Sequence, residues 1–127
     1  MMLRRTLLAA ALLLAALGSG ASAGSKQLSA AEIEALLDGN TVSGTWGGSE
    51  YKQYFGTDGF TMYVPAGGAN DEGKWRVNAA EDSYESWWSA TGWTSYKVGR
   101  EGEGYVWIDS KGDAYPFVVL QGKQVSW

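Results

Sequence analysis

The chain contains no cysteine and no histidine, and only two prolines in 127 residues. Without cysteine there can be no disulfide, no thiol nucleophile and no lipid-modified N-terminal cysteine of the bacterial lipoprotein kind. Without histidine, the Ser-His-Asp triad, the Cys-His pair and most zinc or copper sites are ruled out. The 18 glycines form no strand-to-helix loop of the type that cradles phosphates; the glycine content as a whole reflects turns. Catalysis would have to draw on carboxylates, Lys, Tyr and Ser. Glu50, Asp58, Glu85 and Asp109 are available for a paired-carboxylate mechanism. Most of the acids, however, stand in turn segments where water solvates them, so the expectation is a non-enzymatic protein with no cofactor. The oxygen-rich segments Asp109 to Asp113 and Asn70 to Gly73 lack the spacing and closing glutamate of a calcium loop. They read as turns, and no metal site is expected.

The first 23 residues are organised differently from the rest. Arg4 and Arg5 precede an apolar run from Leu7 to Leu17, followed by Gly18-Ser19-Gly20 and the small-x-small triplet Ala21-Ser22-Ala23. This order predicts a secretory signal peptide over 1–23. The run is too short for the roughly 20 apolar residues of a membrane span. A single domain is then expected over 24–127, located in the periplasm or secreted, with no membrane span in the mature chain. Without Arg4 and Arg5, eight Lys and Arg remain against 14 Asp and Glu, a net charge near −6. That sign argues against nucleic acid and anionic lipid as partners, since both demand clustered cations.

Ser29 followed by Glu32 reads as a capping box, with Leu28 and Ile33 placed as a hydrophobic staple and Gly39-Asn40 as the stop. A short helix over about 30–38 follows. From Thr41 onward, runs of four to seven residues rich in aromatic and β-branched side chains alternate with turn residues. The signals at Gly47-Gly48 and Asp58-Gly59 are those of hairpins. The spacing of about 8–12 residues per strand and turn predicts an all-β antiparallel meander or barrel of eight or nine strands. Pro116 cannot donate to a ladder and is expected at an edge or bulge. Trp46, Trp75 and Trp107 each fall inside a strand and are expected to be buried.

Two resemblances bear on this reading. Gly44-Thr45-Trp46, opening the first strand after a short helix, resembles the Gly-x-Trp of the lipocalin and avidin superfamily. That resemblance implies a barrel whose tryptophan closes its base. It carries over no ligand residues, because the biotin-contacting pattern of avidins is not present. The runs LSAAEIEALLDGNTVSGTW, YKQYFGTDG, GKWRV, SWW and GWTSYKV look like a family of small exported proteobacterial β proteins with no assigned function. That resemblance implies export and a β fold, and a cysteine pair in many members near the positions held here by Glu85 and Ser95.

The tryptophan-rich segment 81–96 is the functional handle. Neighbouring strand residues face opposite sides. Tyr84, Ser86 and Trp88 therefore share one face, and Glu85 and Trp87 the other. Across the turn, Trp93, Ser95 and Lys97 share a face. Tyr84 marks Trp88 as the core-facing member, leaving Trp87, Glu85, Trp93 and Lys97 as the candidate binding residues. Two functions fit. One is a small lipocalin-like barrel for an apolar or sugar-like ligand; the other is a module that docks on an envelope protein or inhibits an enzyme. Stacking of these aromatics for stability alone is the third, structural, reading.

Overall fold

The computed structural model describes residues 26–126; the segment read as a signal peptide lies outside the described residues. In chain order the elements are β1 (Lys26–Gln27), α1 (Ala30–Leu37), β2 (Thr41–Trp46), β3 (Ser49–Phe55), β4 (Phe60–Pro65), β5 (Asp71–Asn78), β6 (Ser83–Trp88), β7 (Gly92–Glu101), β8 (Gly104–Ile108) and β9 (Ala114–Leu120). Strands β2 to β9 pair in sequence order, all antiparallel. β9 then pairs with β2, with Val119 opposite Val42, and the sheet closes into an eight-stranded up-and-down barrel. Closure removes the exposed strand edges that an open meander would leave. The short β1 pairs with Gly99 and Arg100 of β7, extending the ladder below the start of β6.

Local chemistry sets the turns as expected. Gly47 and Gly48 both have positive φ, at 59° and 85°, which the two-residue β2–β3 hairpin requires. In the β3–β4 turn Asp58 Oδ1 accepts from Phe60 N, and Gly59 takes φ 88°. The indole of Trp75 pins this turn from the barrel interior, donating to the Gly56 carbonyl at 2.8 Å. The β2–β9 ladder runs from Phe117 to Leu120 and ends at Pro116, which has no N–H to offer. Pro116 still pairs with Val106 of β8 and is unpaired only on its β2 side.

Helix α1 closes one end of the barrel. Ser29 caps it through the full capping box, its hydroxyl accepting from Glu32 N and its own N–H donating to Glu32 Oε1 at 2.8 Å. The Ala30 N–H bonds Asp82 in the β5–β6 turn, and Gly39 N bonds the Phe55 carbonyl, so both helix ends are tied to the same barrel end. Ile33 and Leu37 are fully buried and join Leu28, Phe55, Trp75 and Val98 in one core cluster. Replacing Ser29 with alanine should cost about 1 kcal/mol, measured as a lower urea midpoint, because it leaves an N-terminal N–H unpartnered.

The inward faces of the strands carry that core. Trp107 stacks on Phe117 at 4.1 Å between centroids and meets Tyr84 at 4.8 Å. Trp75 and Trp107 are buried as expected, at 7% and 4% exposure. Trp46 is not: it is 37% exposed. The base-closing role implied by the Gly-x-Trp resemblance also falls to other residues. β2 begins beside the helix and Trp46 is its last residue, which carries the indole to the opposite end of the barrel. The base is closed by Leu28, Ile33 and Leu37 instead. Among the described residues no helix is long and apolar enough to cross a membrane.

Candidate functional site

At the end away from α1 the barrel is hollow. A cavity of about 340 Å³ opens there, lined by Trp46, Tyr51, Gln53, Tyr63, Asp71, Tyr84, Ser86, Trp88, Ala90, Thr91, Thr94, Tyr96 and Trp107. Its residues come from seven of the eight barrel strands and the β6–β7 turn, so no short stretch of chain encodes it. Small inward residues make its shape. A Cβ added at Gly73 would meet the Trp87 carbonyl oxygen at 2.4 Å and the Trp88 ring at 2.8 Å, so Gly73 lets the Trp88 indole lie across β5. At Gly44 a Cβ would meet the Tyr51 hydroxyl at 3.2 Å, so that ring lies over β2 in the same way.

The rim is built from two aromatic groups. Trp46 packs on Tyr115 at 4.6 Å and edge-on against Tyr96 at 6.0 Å. Tyr115 is held in turn by its hydroxyl, which donates to Asp109 Oδ2 at 2.9 Å. On the other side Tyr63 meets Trp88 edge-on at 6.1 Å, and the Trp88 N–H donates to Ser86 Oγ at 3.0 Å.

The floor is polar and uncharged. Gln53 Nε2 donates to Thr61 Oγ1 at 2.9 Å and to the Tyr84 hydroxyl at 3.3 Å. The Trp107 indole N–H donates to the Tyr51 hydroxyl at 3.0 Å. Burial pushes the Tyr51 phenol up to about 12, opposed in part by the bond from Trp107. Burial raises Tyr84 as well, and partly buried Tyr63 and Tyr96 shift the same way. All four rings therefore stay neutral phenols at physiological pH. The one acidic side chain of the lining is Asp71, exposed at the mouth.

None of the four residues singled out from sequence lines this cavity. Glu85, Trp87, Trp93 and Lys97 all face the outside of the barrel, and the structure joins three of them in one surface ladder. Trp87 stands opposite Trp93, and Glu85 opposite Ser95. β5 supplies cations to both: Lys74 Nζ lies 5.0 Å from the Trp87 ring, and the Arg76 guanidinium 3.7 Å from the Trp93 ring. Arg76 also donates to Glu85 Oε1 at 2.7 Å, while Asn78 and Ser95 reach Oε2. Glu85 and Ser95, the positions of the implied cysteine pair, are thus direct cross-strand neighbours linked here by a hydrogen bond. Lys97 lies beyond this group and donates to the Glu81 carbonyl. Trp88 shares the inward face with Tyr84, as alternation requires, yet it is a half-buried wall of the cavity mouth and not a core residue.

Hydrogen bonds from Arg76 and Asn78 hold the Glu85 carboxyl below the usual carboxylate range. A depressed folded value means that its stabilising contribution is present above the unfolded value and is lost as pH falls through the folded one. Wild type should therefore lose thermal stability on acidification more steeply than Glu85→Gln. Arg76 is more than half exposed, so solvent screening keeps this effect small. Melting temperatures recorded down a pH series check it.

The cavity residues carried signals of their own. Gly44 and Gly73 are isolated glycines inside strand patterns, a mark of close approach by another group. Gln53 is a polar residue in register with Tyr51 and Phe55 on one face. Fold and cavity together define a closed eight-stranded β-barrel, plugged at one end and hollow at the other. No family model matches the chain, and no curated protein or solved structure does either.

Proposed function

We propose that this protein is an exported, non-enzymatic carrier that binds a small uncharged ligand, apolar or sugar-like, in the hollow end of the barrel. The observation that carries the reading is the cavity itself. Its 340 Å³ lies in the usual range for small-molecule sites, and aromatic rings dominate its walls. Among the described residues the helix plugs one end and the cavity opens at the other, which sets direction of entry and depth of burial. Aromatic walls bury ligand surface at low entropic cost, because each ring is already fixed by its neighbours.

Native mass spectrometry of protein isolated from its own envelope fraction tests this. A retained small molecule, lost from Trp88→Ala, is the expected result. Protein that arrives without a ligand but with a second protein bound, and that releases it on Trp93→Ala, would move the site to the outer ladder and support the docking alternative. The same spectrum tests export: the chain should begin at Gly24, and a full-length cytosolic species would refute it.

A further inference from the structure

The deep half of the cavity holds few polar groups, and most are already committed. The Tyr84 hydroxyl is bonded by Gln53 and Ser86. Ser86 Oγ also accepts from Trp88, and Thr61 Oγ1 passes its proton to the Tyr54 carbonyl. The Trp107 N–H is spent on Tyr51. On β3 itself two groups remain without a partner among the described residues. One is the Tyr51 O–H proton, since that oxygen serves only as acceptor to Trp107. The other is Gln53 Oε1, on a side chain that is 6% exposed and has both of its donors engaged. An amide oxygen buried to that degree without a donor is costly, and a ligand can supply what is missing.

The spatial order of these groups restricts the occupant further. Tyr51 and Gln53 are two residues apart on one strand, point to the same side and are more deeply buried than the Tyr63–Trp88 and Trp46–Tyr96 pairs. A molecule entering between the aromatic pairs presents flat faces to them and its leading end to β3. The free donor and acceptor of β3, with one proton left over between the Tyr84 and Ser86 hydroxyls, are too few for a hexose, whose ring hydroxyls would be stranded in the deep half. An ionised ligand would lose its hydration with no countercharge inside, and the Asp71 carboxylate at the mouth adds repulsion for anions. We infer that the cavity selects an uncharged aromatic ring bearing one hydrogen-bond donor, taken by Gln53 Oε1, and one acceptor, taken by the Tyr51 hydroxyl. This inference rests on the cavity being the binding site.

A bicyclic probe series measured by isothermal titration calorimetry tests it on the wild-type protein. Naphthalene carries neither polar group, quinoline the acceptor alone, and 6-hydroxyquinoline and 2-quinolone both, spread apart or adjacent. The ion 2-naphthoate and glucose complete the set. At least one of the two bifunctional probes should bind about tenfold tighter than naphthalene, with quinoline between them, because each satisfied buried group adds to affinity. 2-Naphthoate should bind more weakly than naphthalene. Gln53→Leu should bring the bifunctional probe down to the affinity of quinoline, provided a circular dichroism melt shows it folded. Tyr51→Phe makes the same test from the other group, and should level quinoline with naphthalene. Equal affinity across the bicyclic probes, or a preference for glucose, would overturn the inference and leave the cavity as a binding site. No binding by any probe would overturn the cavity reading and this inference together.

Discussion

Trp107→Ala should lower the free energy of unfolding by about 3–5 kcal/mol, read as a shift of the urea midpoint at unchanged slope. Trp107 is 4% exposed and touches aromatic residues from four other strands: Phe117, Tyr84, Phe55 and Tyr96. Its removal would leave a void at the level where the filled half of the barrel meets the hollow half. It would also strip the Tyr51 hydroxyl oxygen of its donor and so add one more unpaired polar site to the floor. Trp46→Ala provides the contrast. Trp46 is a rim residue in contact with Tyr96 and Tyr115, so its truncation should cost far less stability and should instead weaken ligand retention. A Trp107→Ala variant as stable as wild type would show that the barrel does not depend on this stack.

Gly73→Ala should be the next most damaging change, although it adds only one methyl. The new Cβ would lie 2.4 Å from the Trp87 carbonyl oxygen and within 3 Å of two Trp88 ring carbons. The ring could rotate away, but the carbonyl belongs to the paired backbone of β6, so the β5–β6 ladder itself must open. Overpacking of this kind costs about 1–3 kcal/mol, and contact with backbone places the change toward the upper end. The same substitution displaces the Trp88 wall of the cavity. The variant should thus lose both stability and the affinity for aromatic probes, whereas a surface substitution such as Trp93→Ala should spare the probes. Unchanged affinity in folded Gly73→Ala would show that the Trp88 wall contributes nothing to binding.

Much of the architecture follows from local pattern. Ser29 and Glu32, three residues apart, specify the helix start whatever surrounds them. Gly47, Gly48 and Gly59 specify hairpins because few other residues tolerate their positive φ, and Asp58 adds a side-chain bond to its own turn. Period-two alternation sorts Tyr84, Ser86 and Trp88 from Glu85 and Trp87 without reference to any other strand. These are properties of a few consecutive residues, and composition alone removes histidine and cysteine chemistry.

The location of the candidate site was decided elsewhere. The mixed aromatic and charged face of the β6–β7 hairpin looks like a lining when that hairpin is considered alone. In the closed barrel it points outward, and Lys74 and Arg76 of β5 complete it as a self-satisfied surface ladder. The hollow lies on the opposite face, among residues that the alternation marks as core. Whether inward positions fill the barrel or leave space depends on side chains that meet only after closure, such as Gln53 with Tyr84 and Tyr51 with Trp107, which are 31 and 56 residues apart. Trp46 shows the same limit. Its place inside a strand predicts burial, but the direction of β2 away from the helix carries it to the open rim. Strand identity and facing are short-range matters of sterics and hydrogen bonding. Depth along the barrel and the balance of filled and empty volume are sums over all eight strands, and only the tertiary structure performs them.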